Sequence, residues 1–99
     1  MKKILIVNGP NLNLLGNREK KFYGDTTLEK IKILCDEHCK KNEIECSFFQ
    51  SNHEGELIEK IHSVDDNFDG IIINPAAFTH TSIALLDALR ATSKPKIEI

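Results

Sequence analysis

Short runs of β-branched and aromatic residues alternate along this chain with stretches of helical periodicity, and that alternation leaves few folds open. Residues 3–8, built around Ile4-Leu5-Ile6-Val7, read as a strand, as do Ile44–Gln50, residues 68–74 with Ile71-Ile72-Ile73 at their centre, and residues 96–99. Between them lie three segments of helical period. Residues 26–42 carry Leu28, Ile31, Leu34 and Cys35 on one stripe, and the next segment carries Leu57, Ile58, Ile61 and Val64. The third opens at Thr79 or Thr81 and aligns Ile83, Leu86 and Leu89, with Leu85 widening that face. The order β-α-β-α-β-α-β implies a parallel sheet with right-handed crossovers. The expected fold is α/β, a flavodoxin-like three-layer sandwich in a single domain over residues 1–99. The unbroken apolar first strand implies cover on both faces of the sheet. Four strands with three helices leave part of that cover missing, so the sandwich is expected to be incomplete at the C-terminus.

Local signals mark the ends of these elements. Thr26-x-x-Glu29 and Ser51-x-x-Glu54 read as capping boxes, in which side chains satisfy the exposed amides of a first turn. Asp65-Asp66-Asn67 reads as the end of the second helix, and Asn42 suits a left-handed cap. Asn74-Pro75-Ala76-Ala77-Phe78 reads as a loop, because proline cannot donate to a ladder.

Composition narrows the function classes. A formal charge of −2 gives no general pull toward nucleic acid or acidic lipid, and no window holds enough consecutive apolar residues to span a membrane. The apolar run after Lys2-Lys3 is too short for a signal peptide, so a cytoplasmic location is expected. The odd count of three cysteines argues against a disulfide framework. Cys35, His38 and Cys39 share a helix, but no fourth ligand completes a tetrahedral set; no metal is expected, and Cys35 reads as a core thiol.

The connection from first strand to first helix, residues 8–24, is the unusual segment. Strand-to-helix connections in α/β units are usually about 2–6 residues long. This one leaves the carboxyl end of a strand, where open α/β sheets place their chemistry, and it carries an amide cluster, Arg18 and the only tyrosine. Topology gathers Asn11, Arg18, Tyr23, Asn74 and His80 at that edge. Tyr23 has two readings: a loop anchor with a bonded hydroxyl, or a general base. The second needs a tyrosinate near neutral pH. Lowering a pKa near 10 by about two units takes roughly 2.7 kcal/mol, of which one desolvated guanidinium supplies a good part. Arg18 lies five residues away in the same loop. Asn74 is turn chemistry or a ligand contact, His80 a helix-start residue or a donor to a substrate hydroxyl, and Asp87 a surface carboxylate roughly on the face of His80. No Gly-x-Gly-x-x-Gly fingerprint, no Walker loop and no short hydroxyl-rich cradle for a flavin phosphate is present.

Gly9-Pro10-Asn11-Leu12-Asn13-Leu14-Leu15-Gly16, Arg18-Glu19, Tyr23-Gly24, Gln50-Ser51-Asn52 and Asn74-Pro75-Ala76-Ala77-Phe78-Thr79-His80-Thr81-Ser82 resemble, in identity and order, type II 3-dehydroquinate dehydratase. Ala76-Ala77-Phe78 departs from the Gly-Ala-Tyr version common in that family, a change expected to be neutral. The resemblance implies a cofactor-free, metal-free lyase of the shikimate or quinate pathway that dehydrates 3-dehydroquinate through an enolate, by anti elimination. It implies Tyr23 as the base, Arg18 as its activator and Asn11 as holder of the enolate-side water. Asn74 and His80 become substrate contacts, Asp87 a carboxylate reaching a site across a subunit boundary, and Glu98 the acid that orients a catalytic histidine. The family assembles as trimers in a dodecamer, without nucleic acid or membrane. Its general-acid histidine falls just past the position of Ile99. These residues therefore read as the N-terminal two-thirds of the family domain, C-terminally truncated, holding the base half of the site and expected to be nearly inactive alone. The rival expectation is a truncated, non-catalytic homologue acting as a binding or assembly module.

Overall fold

The computed structural model describes residues 1–15, 26–79 and 81–99. Its elements run β1 (Lys2–Asn8), a 3₁₀ turn (Leu12–Leu14), α1 (Leu28–Lys41), β2 (Ile44–Gln50), α2 (Glu54–His62), a single helical turn α3 (Val64–Asn67), β3 (Gly70–Asn74), a 3₁₀ turn (Ala76–Thr79), α4 (Ile83–Ala91) and β4 (Lys96–Glu98). The strands form one parallel sheet in the order β2-β1-β3-β4. This is the flavodoxin-like arrangement: the chain steps outward from β1 to β2, then crosses back to the other side of β1.

The period-2 alternation of a strand separates the two faces of the sheet. Leu5 and Val7 of β1 and Ile71 and Ile73 of β3 are buried against Leu57 and Ile61 of α2, Val64 of α3, and Leu85, Ala88 and Leu89 of α4. That is the core. The opposite face carries Ile4, Ile6 and Ile72, all half-buried. A hydrogen bond from Cys46 Sγ to Asp36 Oδ1 places α1 on this second face, over β2. No α1 residue is fully buried. Both faces are therefore lined with apolar residues, but among the described residues only one is closed over.

Several elements sit one position from where the pattern puts them. Thr27, not Thr26, caps α1 and accepts from the Lys30 amide, so Glu29 is not its capping partner. Ser51 bonds Glu56 and the His53 amide instead of forming a box with Glu54. Asn42 has a right-handed φ of −104°, and the left-handed residue after α1 is Glu43 at 58°. β3 begins at Gly70, and Asp69 before it exchanges two bonds with Lys3, its amide donating to the Lys3 carbonyl and its carboxylate accepting the Lys3 amide. α2 ends at His62, and residues 65–67 belong to the separate turn α3. Ser82 caps α4, and its oxygen receives the Leu85 amide. The helical stripes shift as well. Leu34 is 64% exposed, Ile83 83% and Leu86 44%, while Leu85, Ala88 and Leu89 take the core positions. Cys35 is half-buried on α1 and is not part of the core.

Two carboxylates staple the connections far from the loop edge. Asp65 accepts from the Thr92 hydroxyl and the Ser93 amide, and Asp69 accepts from the Lys3 amide at 2.7 Å. The Thr92 hydrogen bond, ahead of those from Ser93, holds Asp65 below the usual carboxylate range, and the Lys3 backbone bond does the same for Asp69. A folded pKa below the unfolded one contributes stability that is present above the unfolded value, near 3.9, and lost as pH falls through the depressed folded value. Thermal denaturation is expected to be insensitive to these groups from pH 7 to about 5 and to weaken on further acidification. Asp65→Asn and Asp69→Asn together should flatten that decline; an unchanged acid limb would rule the staples out.

Candidate active site

In a parallel sheet, residues in register point to the same face. Asn8 pairs with Gln50 on one side and Asn74 on the other, so β2, β1 and β3 each end in an amide residue of one row. Gly9 follows with no side chain, and it needs none. A Cβ there would stand 2.3 Å from the Pro75 carbonyl oxygen. The close approach is fixed by the Gly9 amide, which donates to the Asn74 carbonyl at 2.8 Å.

The chain then turns outward through Asn11, which holds a left-handed φ of 66°. Asparagine tolerates that region better than most residues. The Asn11 amide donates to Asn52 Oδ1 at 2.9 Å, and the same oxygen receives Gln50 Nε2 at 3.1 Å. Gln50 Nε2 also reaches the Gly9 carbonyl at 3.1 Å. The polar end of β2 thus braces the first loop against β1. Topology put the Gln50–His53 turn at this edge without giving it a role; three neighbouring strands ending in an amide are the signal that would have given Gln50 and Asn52 this one.

On the other side of β1, Asn74 Oδ1 receives the Ala76 amide at 3.1 Å, forming a short turn. Pro10, Asn11, Leu12 and Leu15 face Asn74, Ala76 and Ala77 across a cleft of about 360 Å³. Asn11 and Asn74, read from the sequence as separate candidates, therefore share one site. Below it, Asn8 is 8% exposed and its Nδ2 has no hydrogen-bond partner among the described residues.

The turn Ala76–Thr79 is a partition. On its far side lies a second cleft of about 240 Å³, where Glu98 meets Phe78, Thr81, Ser82, Leu86 and Leu89. Glu98 pairs with Ile73 in the ladder, so it projects to the α4 face of the sheet, away from the amide row. Asp87 is exposed on the outer side of α4 and lines neither cleft. Arg18, Tyr23 and His80 lie outside the described residues. Among the described residues no group of three or more His, Cys, Asp or Glu is arranged to hold a metal, and no helix is long and apolar enough to cross a membrane.

Ala76 itself is strained, at a φ of 53°. A non-glycine residue in this region costs about 1–2 kcal/mol, part of which glycine's larger unfolded-state entropy would return. Ala76→Gly is therefore expected to raise stability by roughly 0.5–1 kcal/mol in denaturant titration. A loss of stability would show that the alanine methyl is needed for packing. The departure from glycine here thus has an energetic cost rather than being neutral.

The comparisons agree with this geometry. The family model described as "Dehydroquinase class II" matches residues 2–99. The 3-dehydroquinate dehydratase of Caldicellulosiruptor saccharolyticus is 53% identical, over all of this chain and 69% of its own length. The catabolic 3-dehydroquinase of Talaromyces marneffei is 54% identical, over all of this chain and 57% of its own. Among solved structures, the type II dehydroquinase of Butyrivibrio crossotus superposes with a TM-score of 0.95 at 50% identity, covering 98% of this chain and 68% of that one. That of Propionibacterium acnes gives 0.94 at 37% identity, covering 99% and 68%. The chain spans roughly 57–69% of the length of these relatives, and over that span the fold coincides with that of the solved structures. The protein belongs to the class II dehydroquinase family.

Proposed function

We propose that this protein is a hydro-lyase that converts 3-dehydroquinate to 3-dehydroshikimate by anti elimination of water through an enolate. The observation that carries this reading is the convergence of Asn11 and Asn74 on one cleft at the polar ends of β1 and β3. That cleft adjoins the first loop, in a chain about half identical to 3-dehydroquinate dehydratases. Tyr23, as phenolate, removes a proton from the carbon beside the ketone, and Arg18 keeps the phenolate accessible near neutral pH. The electron pair moves into the carbonyl, and a water held by Asn11 stabilises the resulting oxyanion. Asn74 and His80 hold substrate hydroxyls. The β-hydroxyl then departs with a proton from a general acid, giving the enone and water. Asp87 serves the site of a neighbouring subunit in a trimer-based dodecamer; its outward position on α4 suits that role. Glu98 orients the acid group. No cofactor enters the scheme, and the reaction takes place in the cytoplasm.

Tyr23, Arg18 and Asn11 carry the base steps of that scheme, and general acid assistance, typically about 10²–10⁴-fold, acts on the later release of water, so the two steps can be followed separately. Deuterium incorporation at C2, followed by NMR alongside enone absorbance, tests both steps. Exchange of that proton supports the assignment. Binding of an enolate mimic without any exchange would instead identify a binding module.

A further inference from the structure

The α1–β2 layer holds all three cysteines, away from the amide row. Cys39 lies two residues before the end of α1, and Cys46 two residues after the start of β2. Asn42 and the left-handed Glu43 reverse the chain between them, so the two positions oppose each other across a tight turn. The side chains follow suit. Cys46 Sγ donates to Asp36 Oδ1 at 3.1 Å across the helix–strand contact. Cys39 stands three residues beyond Asp36 on the same helical face, so Asp36 lies between the two cysteines. Cys39 and Cys46 both line a surface cleft of about 290 Å³, shared with Met1, Asp36, Lys40 and Ile44. Cys35, one helical turn earlier, lies outside it.

We propose that Cys39 and Cys46 form a modification site, which a hydroperoxide converts to an intramolecular disulfide tying the end of α1 to β2. The Cys39 sulfur attacks a peroxide oxygen; the O–O bond breaks, an alcohol or water leaves, and Cys39 becomes a sulfenic acid. The Cys46 sulfur then attacks the Cys39 sulfur. The S–S bond forms, the S–O bond breaks, and the Cys46 proton, accepted through Asp36, leaves with the hydroxide as water. The two thiols lose two electrons and the peroxide gains them. Burial, followed by the hydrogen bond to Asp36, pushes the Cys46 thiol up to about 12. Its hydrogen bond to Asp36 gives Cys46 a place to leave its proton when it attacks in the second step.

The test is mild hydrogen peroxide treatment of the reduced protein, followed by digestion without reduction. The expected result is loss of the mass of two hydrogens, a fall from three free thiols to one, and a peptide joining Cys39 to Cys46 with Cys35 still open to alkylation. Dithiothreitol should reverse all three, and Cys35→Ser should leave the cross-link unchanged. A Cys35–Cys39 peptide, cross-links solely between chains, or oxygen-bearing thiols without a cross-link would each overturn the proposal.

Discussion

Replacing Gly9 by alanine is expected to cost about 3 kcal/mol or more, lowering the melting temperature by roughly 12–24 °C in a domain of this size. The new methyl would stand 2.3 Å from the Pro75 carbonyl oxygen and 2.7 Å from its carbon, both backbone atoms. Neither partner can give way easily. The Gly9 amide is bonded to the Asn74 carbonyl, and the Pro75 oxygen receives the Phe78 amide at 3.1 Å. Relief would require parting the ends of β1 and β3, the two strands that carry Asn11 and Asn74. Whatever protein still folds should therefore also lose affinity for ligands of the cleft. Gly55→Ala is the internal control. A Cβ there meets nothing within 4 Å, and in a helix the change should stabilise by up to about 1 kcal/mol. Equal melting temperatures for the two variants would show that the close approach of β1 and β3 is not a constraint.

The same strand ends show how much could be read in advance. β2 was legible to the residue, because amide and hydroxyl residues punctuate both sides of an aromatic and β-branched run. Convergence of Asn11 and Asn74 was legible from topology alone, since parallel strands deliver their carboxyl ends to one edge. The helical stripes were less so. In α4, spacing alone admits both Ile83-Leu86 and Leu85-Ala88-Leu89; packing against the sheet and α2 took the second set and left Ile83 almost fully exposed. Caps slipped by one residue wherever two hydroxyl residues adjoin, as at Thr26-Thr27 and Thr81-Ser82, because both candidates offer the same oxygen. The left-handed step after α1 fell to Glu43 over Asn42 because Asn42 turns its side chain back to the His38 carbonyl. The Asn52 brace on Asn11 spans 41 residues of sequence and leaves no local trace.

For Tyr23→Phe the expected outcome is loss of about 10²–10⁴-fold in both C2 proton exchange and dehydration, with melting temperature and affinity for an enolate mimic nearly unchanged. Phenylalanine keeps the ring and removes only the oxygen that takes the proton, so a general base and a loop anchor respond differently. An anchor that lost its hydroxyl would show lower stability or weaker binding, with exchange falling only in proportion. Arg18 separates the readings further. Without the guanidinium, the phenol of Tyr23 should return toward its ordinary value near 10, and the acid limb of the rate profile should rise by up to about two pH units. Arg18→Gln would then lose activity at neutral pH and recover much of it in alkaline buffer, which a residue that only binds substrate would not do. The companion Asn11→Ala should slow turnover without moving that limb, because Asn11 acts on the oxyanion and not on the base. A profile that shifts in neither variant, or C2 exchange that survives in Tyr23→Phe, would place the base elsewhere.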